Sequence, residues 1–493
     1  MGAGRWRLLH QLTIESMLLA VVGGLLGFLL AYWGVPAIIR MLPSEFPLPR
    51  LQEIAVDRTV LGFTLLVSIA CGLFFGIFPA LQVDRARGLQ QGGRHGSAAN
   101  RRLSSLLVIA ELAVAVPLGI GAGLMLRSFV LLNEVDPGFR PERLIAFRML
   151  LATPLDEHWQ EHRAARVERM LERIRALPMV TSASSIHLLP LSGSQSGSGY
   201  YRTDRPRSTI GSGPGGEVSV ISDGYFQTMG IPMTAGREFE PRDRRGSPPV
   251  AILNQAAARM VFPGENPVGQ RLQVDWPVYP KPVVEIVGVA ADVRHNGLDH
   301  KPAPCLFLSQ AQAPSGMASL VIRTASDPAA AIAAVKEQMQ AAAPNQGVQD
   351  VTTMEQLISS SLARPKLEVV LTAIFGVVAL ALACVGVFAV VSYSVEQRTR
   401  EMGIRLALGA APLSILRMVL GEGLSLACAG ITAGLLAALG LTRFLATLLY
   451  TVRPTDPMVY AVATILLGMA AIAGCYVPAR RATRVDPAVV LRE

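Results

Sequence analysis

Charge is scarce in this chain. Asp, Glu, Lys and Arg make up 16% of its 493 residues, against 51% hydrophobic and 6% aromatic. So apolar a composition excludes a purely soluble enzyme, yet it is too polar for a compact many-span channel. A membrane protein with one large soluble domain fits. Cysteine is scarcer still, with five residues. Cys71, Cys384, Cys428 and Cys475 lie in apolar stretches and Cys305 stands alone in the polar middle, which gives no disulfide framework and no paired motif. No G-x-x-x-x-G-K-[ST] run occurs anywhere in these residues, so no phosphate-cradling loop is present. A cleavable leader is not visible either, because "LLAVVGGLLGFLLAYWGV" runs past the usual apolar length without a small-residue cleavage site. The net charge of +9 does not point to nucleic acid, since the arginines cluster beside apolar segments as topology signals do.

Six apolar stretches are long enough to cross a bilayer: 12–33, 59–80, 104–126, 367–393, 417–440 and 458–477. Arginine sets their direction. Arg85, Arg87, Arg94, Arg101 and Arg102 crowd 81–103, Arg398, Arg400, Arg405 and Arg417 crowd 394–417, and Arg480, Arg481, Arg484 and Arg492 fill the tail. By the positive-inside rule both termini face the cytoplasm and residues 127–366 lie outside the membrane.

The chain also repeats itself. Gly2, Ala3, Leu9, Glu15, Leu19, Ala20, Gly23 and Gly27 align without gaps on Gly409, Ala410, Leu416, Glu422, Leu426, Ala427, Gly430 and Gly434. A second block pairs Asp57, Val60, Pro79, Ala80 and Arg85 with Asp456, Val459, Pro478, Ala479 and Arg484. The first two spans therefore resemble the last two. The expected organisation is a partial unit over 1–102, a span and stalk over 103–135, an external domain over 136–364 and a three-span unit over 365–493. On that reading residues 1–102 are the end of an earlier copy whose external domain and first two spans are absent.

Between Asp136 and Arg364 the pattern turns to mixed helix and strand, which predicts an α+β domain. A helix starting near Asp156 puts Val167, Met170, Leu171, Ile174 and Leu177 on one face, and a second over 328–342 turns Ile332, Val335 and Met339 inward. Strands are expected at 217–221, 249–253, 283–290 and 319–325. The Gly/Ser-rich stretch 191–216 reads as a mobile loop.

Two short motifs invite chemistry. "LSGSQ" (191–195) nearly spells the LSGGQ signature of ABC-type ATPases. It fails for want of a phosphate loop and an acid for Mg²⁺, and because the topology places it outside the cytoplasm. "HWQEH" (158–162) matches the H-x-x-E-H spacing of some zinc peptidases, but no third ligand is readable. The solvated start of an amphipathic helix explains it as well. Within the spans the carboxylates are Glu15, Glu111 and Glu422. Glu15 and Glu422 are close enough to span ends to reach the interface, whereas Glu111 lies deeper and is a candidate for a proton or substrate role. Pro117 in the same span should bend it or cost it a backbone hydrogen bond.

"SVEQRTREMGIRLALGA" (394–410) joins spans four and five. Glu396 with Arg400 and Glu401 with Arg405 stand at i, i+4, and Met402, Leu406 and Gly409 form an apolar stripe. An amphipathic helix there either rests on anionic lipid or inserts into a groove on a cytoplasmic partner.

"EQRTREMGIRLALGA", the Gly-rich span after it and the ending "PARRATRVDPAVVLRE" resemble the FtsX-like permease domain of MacB-type ABC transporters. "ISDGYFQTMGIPMTAGREF", "PVAILNQAAARMVFPGENPVGQRL" and "EIVGVAADVR" resemble the external domain of that family. With the repeat, "RSFVLLNEVDPGFRPERL" points to its duplicated branch, in which two permease units are fused. The resemblance implies a bacterial inner-membrane protein of six transmembrane helices with a MacB-like periplasmic core domain, and no catalytic, cofactor-binding or metal-binding residue. It implies ATP hydrolysis in a separate ABC ATPase chain, which would dock on 394–410 through Arg398, Arg400, Glu401, Met402, Arg405 and Leu408. It further implies a second permease unit, as a homodimer or the missing fused half, with a periplasmic adaptor as a candidate partner. The motion relayed outward would serve export or envelope remodelling. A regulatory scaffold that switches an extracytoplasmic cell-wall hydrolase shares the same coupling helix. The cargo is not legible.

Overall fold

The fold is taken from a computed structural model, which describes residues 5–40, 56–87, 95–151, 158–194, 196–204, 215–275, 283–343, 348–408, 410–447 and 449–483. Asp156, Gln195, Gly409, the tail from Arg484, residues 88–94 and 205–214, and the side chain of Arg400 lie outside the described residues. The chain divides into two compact units, Leu132–Arg364 and the segments on either side of it.

In chain order the helices are α1 (Arg5–Arg40), α2 (Arg58–Arg87), α3 (His95–Asn133), α4 (Trp159–Arg175), α5 (Tyr225–Met229), α6 (Gln255–Val261), α7 (Pro328–Ala342), α8 (Met354–Gln397), α9 (Thr399–Ala407), α10 (Pro412–Leu441) and α11 (Pro457–Ala482). The strands are β1 (Leu144–Leu150), β2 (Val180–Ile186), β3 (Gly197–Arg202), β4 (Gly215–Ile221), β5 (Met233–Gly236), β6 (Val250–Asn254), β7 (Arg271–Val274), β8 (Val283–Ala290), β9 (Cys305–Ser309), β10 (Met317–Thr324) and β11 (Val348–Thr353).

The outer segments form the membrane unit. Among the described residues five helices are long and apolar enough to span: Thr13–Arg40, Ser104–Asn133, Met354–Gln397, Pro412–Leu441 and Pro457–Ala482. The remaining expected span falls in α2, whose described apolar portion, Arg58–Leu73, is shorter. Helix α3 continues through Pro117.

The repeat has a structural counterpart. Asp57 caps α2 by accepting from the amides of Thr59 and Val60, both at 3.0 Å. Its partner in the repeat, Asp456, caps α11 by accepting from Met458 at 3.0 Å and Val459 at 3.3 Å. Each carboxylate satisfies amides that a helix start leaves unpaired. The matched glycines are not used alike, however. A Cβ on Gly430 would sit 2.6 Å from the Cβ of Leu112, and one on Gly434 would sit 2.6 Å from that of Val116. Small residues thus let α10 lie directly against α3, as expected where packing must replace a hydrophobic driving force. Gly23 and Gly27 on α1 would meet nothing within 4 Å. Elsewhere on α1, its pairing with α2 is close, since a Cβ on Gly72 would meet Ala20 and Met17.

Residues Leu132–Arg364 build one sheet in two parts. Strands β11, β1, β10 and β2 lie side by side and antiparallel. Helices α4 and α7 cover one face, where Val167, Met170, Leu171, Ile174, Val335 and Met339 pack on Ile145, Phe147 and Ile322. The other part closes on itself. Strands β4, β3, β7, β8, β6 and β9 follow one another, and β9 returns to β4 in a parallel pairing. This six-stranded barrel is filled by Tyr200, Val218, Val220, Leu253, Leu272, Ile286, Leu306 and Leu308. Closure removes the open edges that a flat sheet would expose. A short seam joins the two parts, with Ile186 opposite Ile221 and the His187 amide donating to the Val220 carbonyl at 2.7 Å.

The expected strands are β4, β6, β8 and β10 to within two residues. The stretch 191–216 is not one loop: β3 and the start of β4 fall inside it. Gly197–Arg202 ("GSGYYR") carries little apolar surface, and its backbone is held by β4 on one side and β7 on the other.

Candidate functional site

The apolar face of the 394–410 segment suggests one helix, but the structure makes two. Helix α8 stops at Gln397, Arg398 takes φ −110° and ψ 12°, and α9 starts at Thr399. Glu396 and Arg400 therefore stand on opposite sides of a break and do not reinforce a single helix. A polar cluster sits at the turn. Glu422 of α10 accepts from the Ser394 hydroxyl at 3.2 Å and from the Arg398 guanidinium at 3.4 Å. Arg398 is thereby drawn back toward the bundle and the helix axis changes there.

Helix α9 has two faces. Met402 is 2% exposed and packs into the core of the membrane unit with Val395, Ile415 and Val419. Ile404 and Leu408 are 41% and 83% exposed. Between them runs a charged edge: Arg405 donates to Glu401 one turn back and its guanidinium also contacts the Met418 sulfur at 3.3 Å. Of the residues singled out by resemblance, Arg398 and Met402 thus face the bundle, while Glu401, Arg405 and Leu408 lie at the surface. Ile404 belongs with them. Its signal in the sequence is the i, i+4 spacing to Leu408, which sets two exposed apolar side chains one turn apart. A small pocket lies behind the helix, lined by Tyr393, Ser394, Arg398, Met402, Met418 and Glu422 among others.

The carboxylates within the spans separate clearly. Glu15 is exposed on α1. Its repeat counterpart Glu422 has partners inside the bundle and does not depend on reaching the interface. Glu111 turns toward a neighbouring helix: its carboxylate occupies the space that a side chain on Gly386 of α8 would need.

Among the described residues, neither short motif in the other unit assembles a catalytic site. Leu191 to Ser194 form a turn in which Leu191 holds φ 62° and Gly193 φ 72°. The Leu191 amide donates to the His295 carbonyl at 2.8 Å. The His158 and His162 rings lie 6.4 Å apart between centroids with their planes tilted by 37°, and Glu161 pairs with Arg245 at 3.0 Å. Among the described residues, the groups close enough to share a metal ion are Glu217, His295 and Cys305, not these histidines.

Comparison with known proteins agrees with both units. Residues 135–342 match the MacB-like periplasmic core domain, and residues 373–487 match the FtsX-like permease C-terminal family. The macrolide export ATP-binding/permease protein MacB of Rhodospirillum rubrum is 33% identical over 281 residues, covering 54% of this chain and 41% of its own length. The probable syringafactin export ATP-binding/permease protein SyfD of Pseudomonas syringae pv. tomato is 28% identical over 289 residues, covering 55% of this chain and 41% of its own. The chain thus spans about two fifths of the length of these relatives. A crystal structure of the periplasmic region of MacB from Actinobacillus actinomycetemcomitans aligns over 44% of this chain and 92% of its own, at 13% identity and a TM-score of 0.30. With a MacB-like periplasmic core domain and an FtsX-like permease domain in one polypeptide, the chain belongs to the MacB-type, FtsX-like permeases of ABC transporters.

Proposed function

We propose that this chain is the membrane subunit that relays ATP-driven motion of a separate ATPase to its external domain, and that the relay serves export. The observation that carries this reading is the build of α9. The helix is anchored from behind by Met402 and by the Arg398–Glu422 pair, and it presents Ile404 and Leu408 outward beside the Glu401–Arg405 pair. An apolar pair on a charged, firmly held helix suits a groove on a partner protein. The arginine distribution supports placing α9 and both termini in the cytoplasm and 127–366 in the periplasm. The two relatives are named as ATP-binding/permease proteins for macrolide and syringafactin export, which supports both the pairing with an ATPase and export as its use.

The mechanical part follows from helix physics. Helix α8 is a single helix of 44 residues ending one residue before α9. A helix at about 1.5 Å rise per residue moves as a rod rather than stretching, so a displacement imposed on α9 passes along α8. A partner that binds α9 better in one nucleotide state than in the other shifts the bundle by that difference in affinity. The second permease unit expected by resemblance supplies the symmetry-related half of such a machine. A permease reconstituted in nanodiscs with its cognate ABC ATPase tests the reading. Leu408→Asp and Ile404→Asp are expected to abolish permease-dependent stimulation of ATP hydrolysis while the chain keeps its thermal stability. Undiminished stimulation in both would remove the coupling role and leave α9 as a helix resting on lipid.

A further inference from the structure

A buried cluster in the periplasmic domain has no part in that relay. In the parallel pairing of β4 and β9, Glu217 stands directly opposite Cys305. The next residues in each strand, Val218 and Leu306, fill the barrel. Strand alternation therefore puts Glu217 and Cys305 together on the other face. His295, in the segment after β8, joins them. Its Nδ1 lies 3.8 Å from Glu217 Oε2, and one ligand atom from each of the three residues lies within 4.8 Å of the others. The side chains are secluded: His295 is 8% exposed and Glu217 14%, and Cys305 is fully buried.

The cluster is not satisfied as it stands. Glu217 Oε1 is buried with no hydrogen-bond partner among the described residues, and so is the hydroxyl of Tyr225, whose ring packs beside Phe307, two residues along β9 from Cys305. A buried carboxylate needs a compensating positive charge, and unpaired polar atoms in the interior are costly. His295 does not supply that charge. At 3.8 Å its ring makes no hydrogen bond to Glu217. Among the described residues, Asn296 donates to the Glu217 carboxylate.

A thiol, an imidazole nitrogen and a carboxylate are the donor set of a borderline-soft divalent ion. We propose that Glu217, His295 and Cys305 bind one Zn²⁺, with a water as fourth ligand. Tetrahedral zinc with bonds of about 2.0 to 2.3 Å sets its ligand atoms about 3.3 to 3.8 Å apart, so the side chains close in by at most about 1.5 Å. On binding, the thiol proton leaves to solvent and the thiolate and carboxylate balance the ion's two charges. The three side chains are secluded from bulk solvent, which suits a structural role. The ion would clamp β4 to β9, the pairing that closes the barrel, and fix the segment after β8 that holds the Leu191–Ser194 turn.

The test uses the full chain, purified in detergent, stripped with a chelator and titrated with Co²⁺. A sulfur-to-cobalt charge-transfer band saturating at one equivalent is expected, displaced by Zn²⁺. Cys305→Ser should abolish the band although Cys71, Cys384, Cys428 and Cys475 remain, and His295→Gln should weaken Co²⁺ binding at least tenfold. Zinc should also raise the Tm of the stripped wild-type chain, a readout that needs no variant to fold. Absence of the band at saturating Co²⁺, or its persistence in Cys305→Ser, overturns the site.

Discussion

Glu422 Oε2 lies 3.4 Å from the Arg398 guanidinium, so a residue inside α10 fixes the point at which α8 gives way to α9. Their side chains are 29% and 33% exposed, which leaves the pair partly screened and worth about 0.2 to 1 kcal/mol. A double-mutant cycle with Glu422→Gln and Arg398→Gln, read by thermal unfolding of the purified chain, is expected to give a coupling in that range. Zero coupling would mean that the break at Arg398 is held by packing alone.

Met402 and Leu408 belong to one short helix and should behave oppositely. Truncating the buried Met402 to Ala removes packed surface and should cost about 2 to 5 kcal/mol, within the range for buried side chains. Leu408→Ala, at 83% exposure, should change stability by less than about 0.5 kcal/mol. Thermal or denaturant unfolding separates the two. Equal losses would contradict the orientation of α9.

The repeated glycines give a matched pair of experiments. Gly434→Ala forces a Cβ to 2.6 Å from that of Val116 and should destabilise the membrane unit by about 1 to 3 kcal/mol through overpacking. Gly27→Ala, at the equivalent place in the first copy, meets nothing within 4 Å and should gain up to about 1 kcal/mol of helix propensity. Unfolding temperatures of the two variants decide it. A loss at Gly27 as large as that at Gly434 would show that the face of α1 is occupied in the assembled protein.

Asp243 offers a pH-dependent test in the other unit. Burial alone would raise its carboxyl, but bidentate bonds from Arg237 at 2.6 and 3.0 Å and the Glu240 amide at 2.8 Å outweigh this and hold it below the usual range. A depressed carboxyl contributes stability that is present above its unfolded-state value and lost as pH falls through its folded-state value. Wild-type protein should therefore lose this contribution below about pH 4, on the usual carboxylate scale. Asp243→Asn should be weaker by about 1 to 3 kcal/mol at neutral pH and show a smaller drop below pH 4. Parallel acid sensitivity of the two proteins would refute the assignment.

What the chain reveals of itself depends on how local each feature is. Strands β8 and β10 are readable because "VVEIVGVA" and "SLVIRT" carry their own apolar, β-branched signal. Strand β3 is not, since its identity as a strand comes from neighbours far along the chain. The break at Arg398 is hidden for the same reason: the i, i+4 charge pattern runs across it, and the partner that turns it is Glu422. The Glu217, His295 and Cys305 cluster has no spacing motif at all, because three separate segments deliver one ligand each. The five longest apolar helices needed no such help, as composition alone marks them.

The barrel occupies an unbroken stretch from β3 to β9 and is inserted between β2 and β10 of the flanking layer. That arrangement imposes an order on folding. All six barrel strands are available once the chain has been made as far as Ser309, whereas β1 must wait for β10 and then for β11 before it has either neighbour. Pairings between distant segments form slowly because the intervening chain must first be confined. The inserted barrel is therefore expected to be complete, with β2 held to it only by the short seam to β4, while β1 is still unpaired and its apolar face is covered by α4 alone. Any chaperone acting on this domain would meet it in that half-built state.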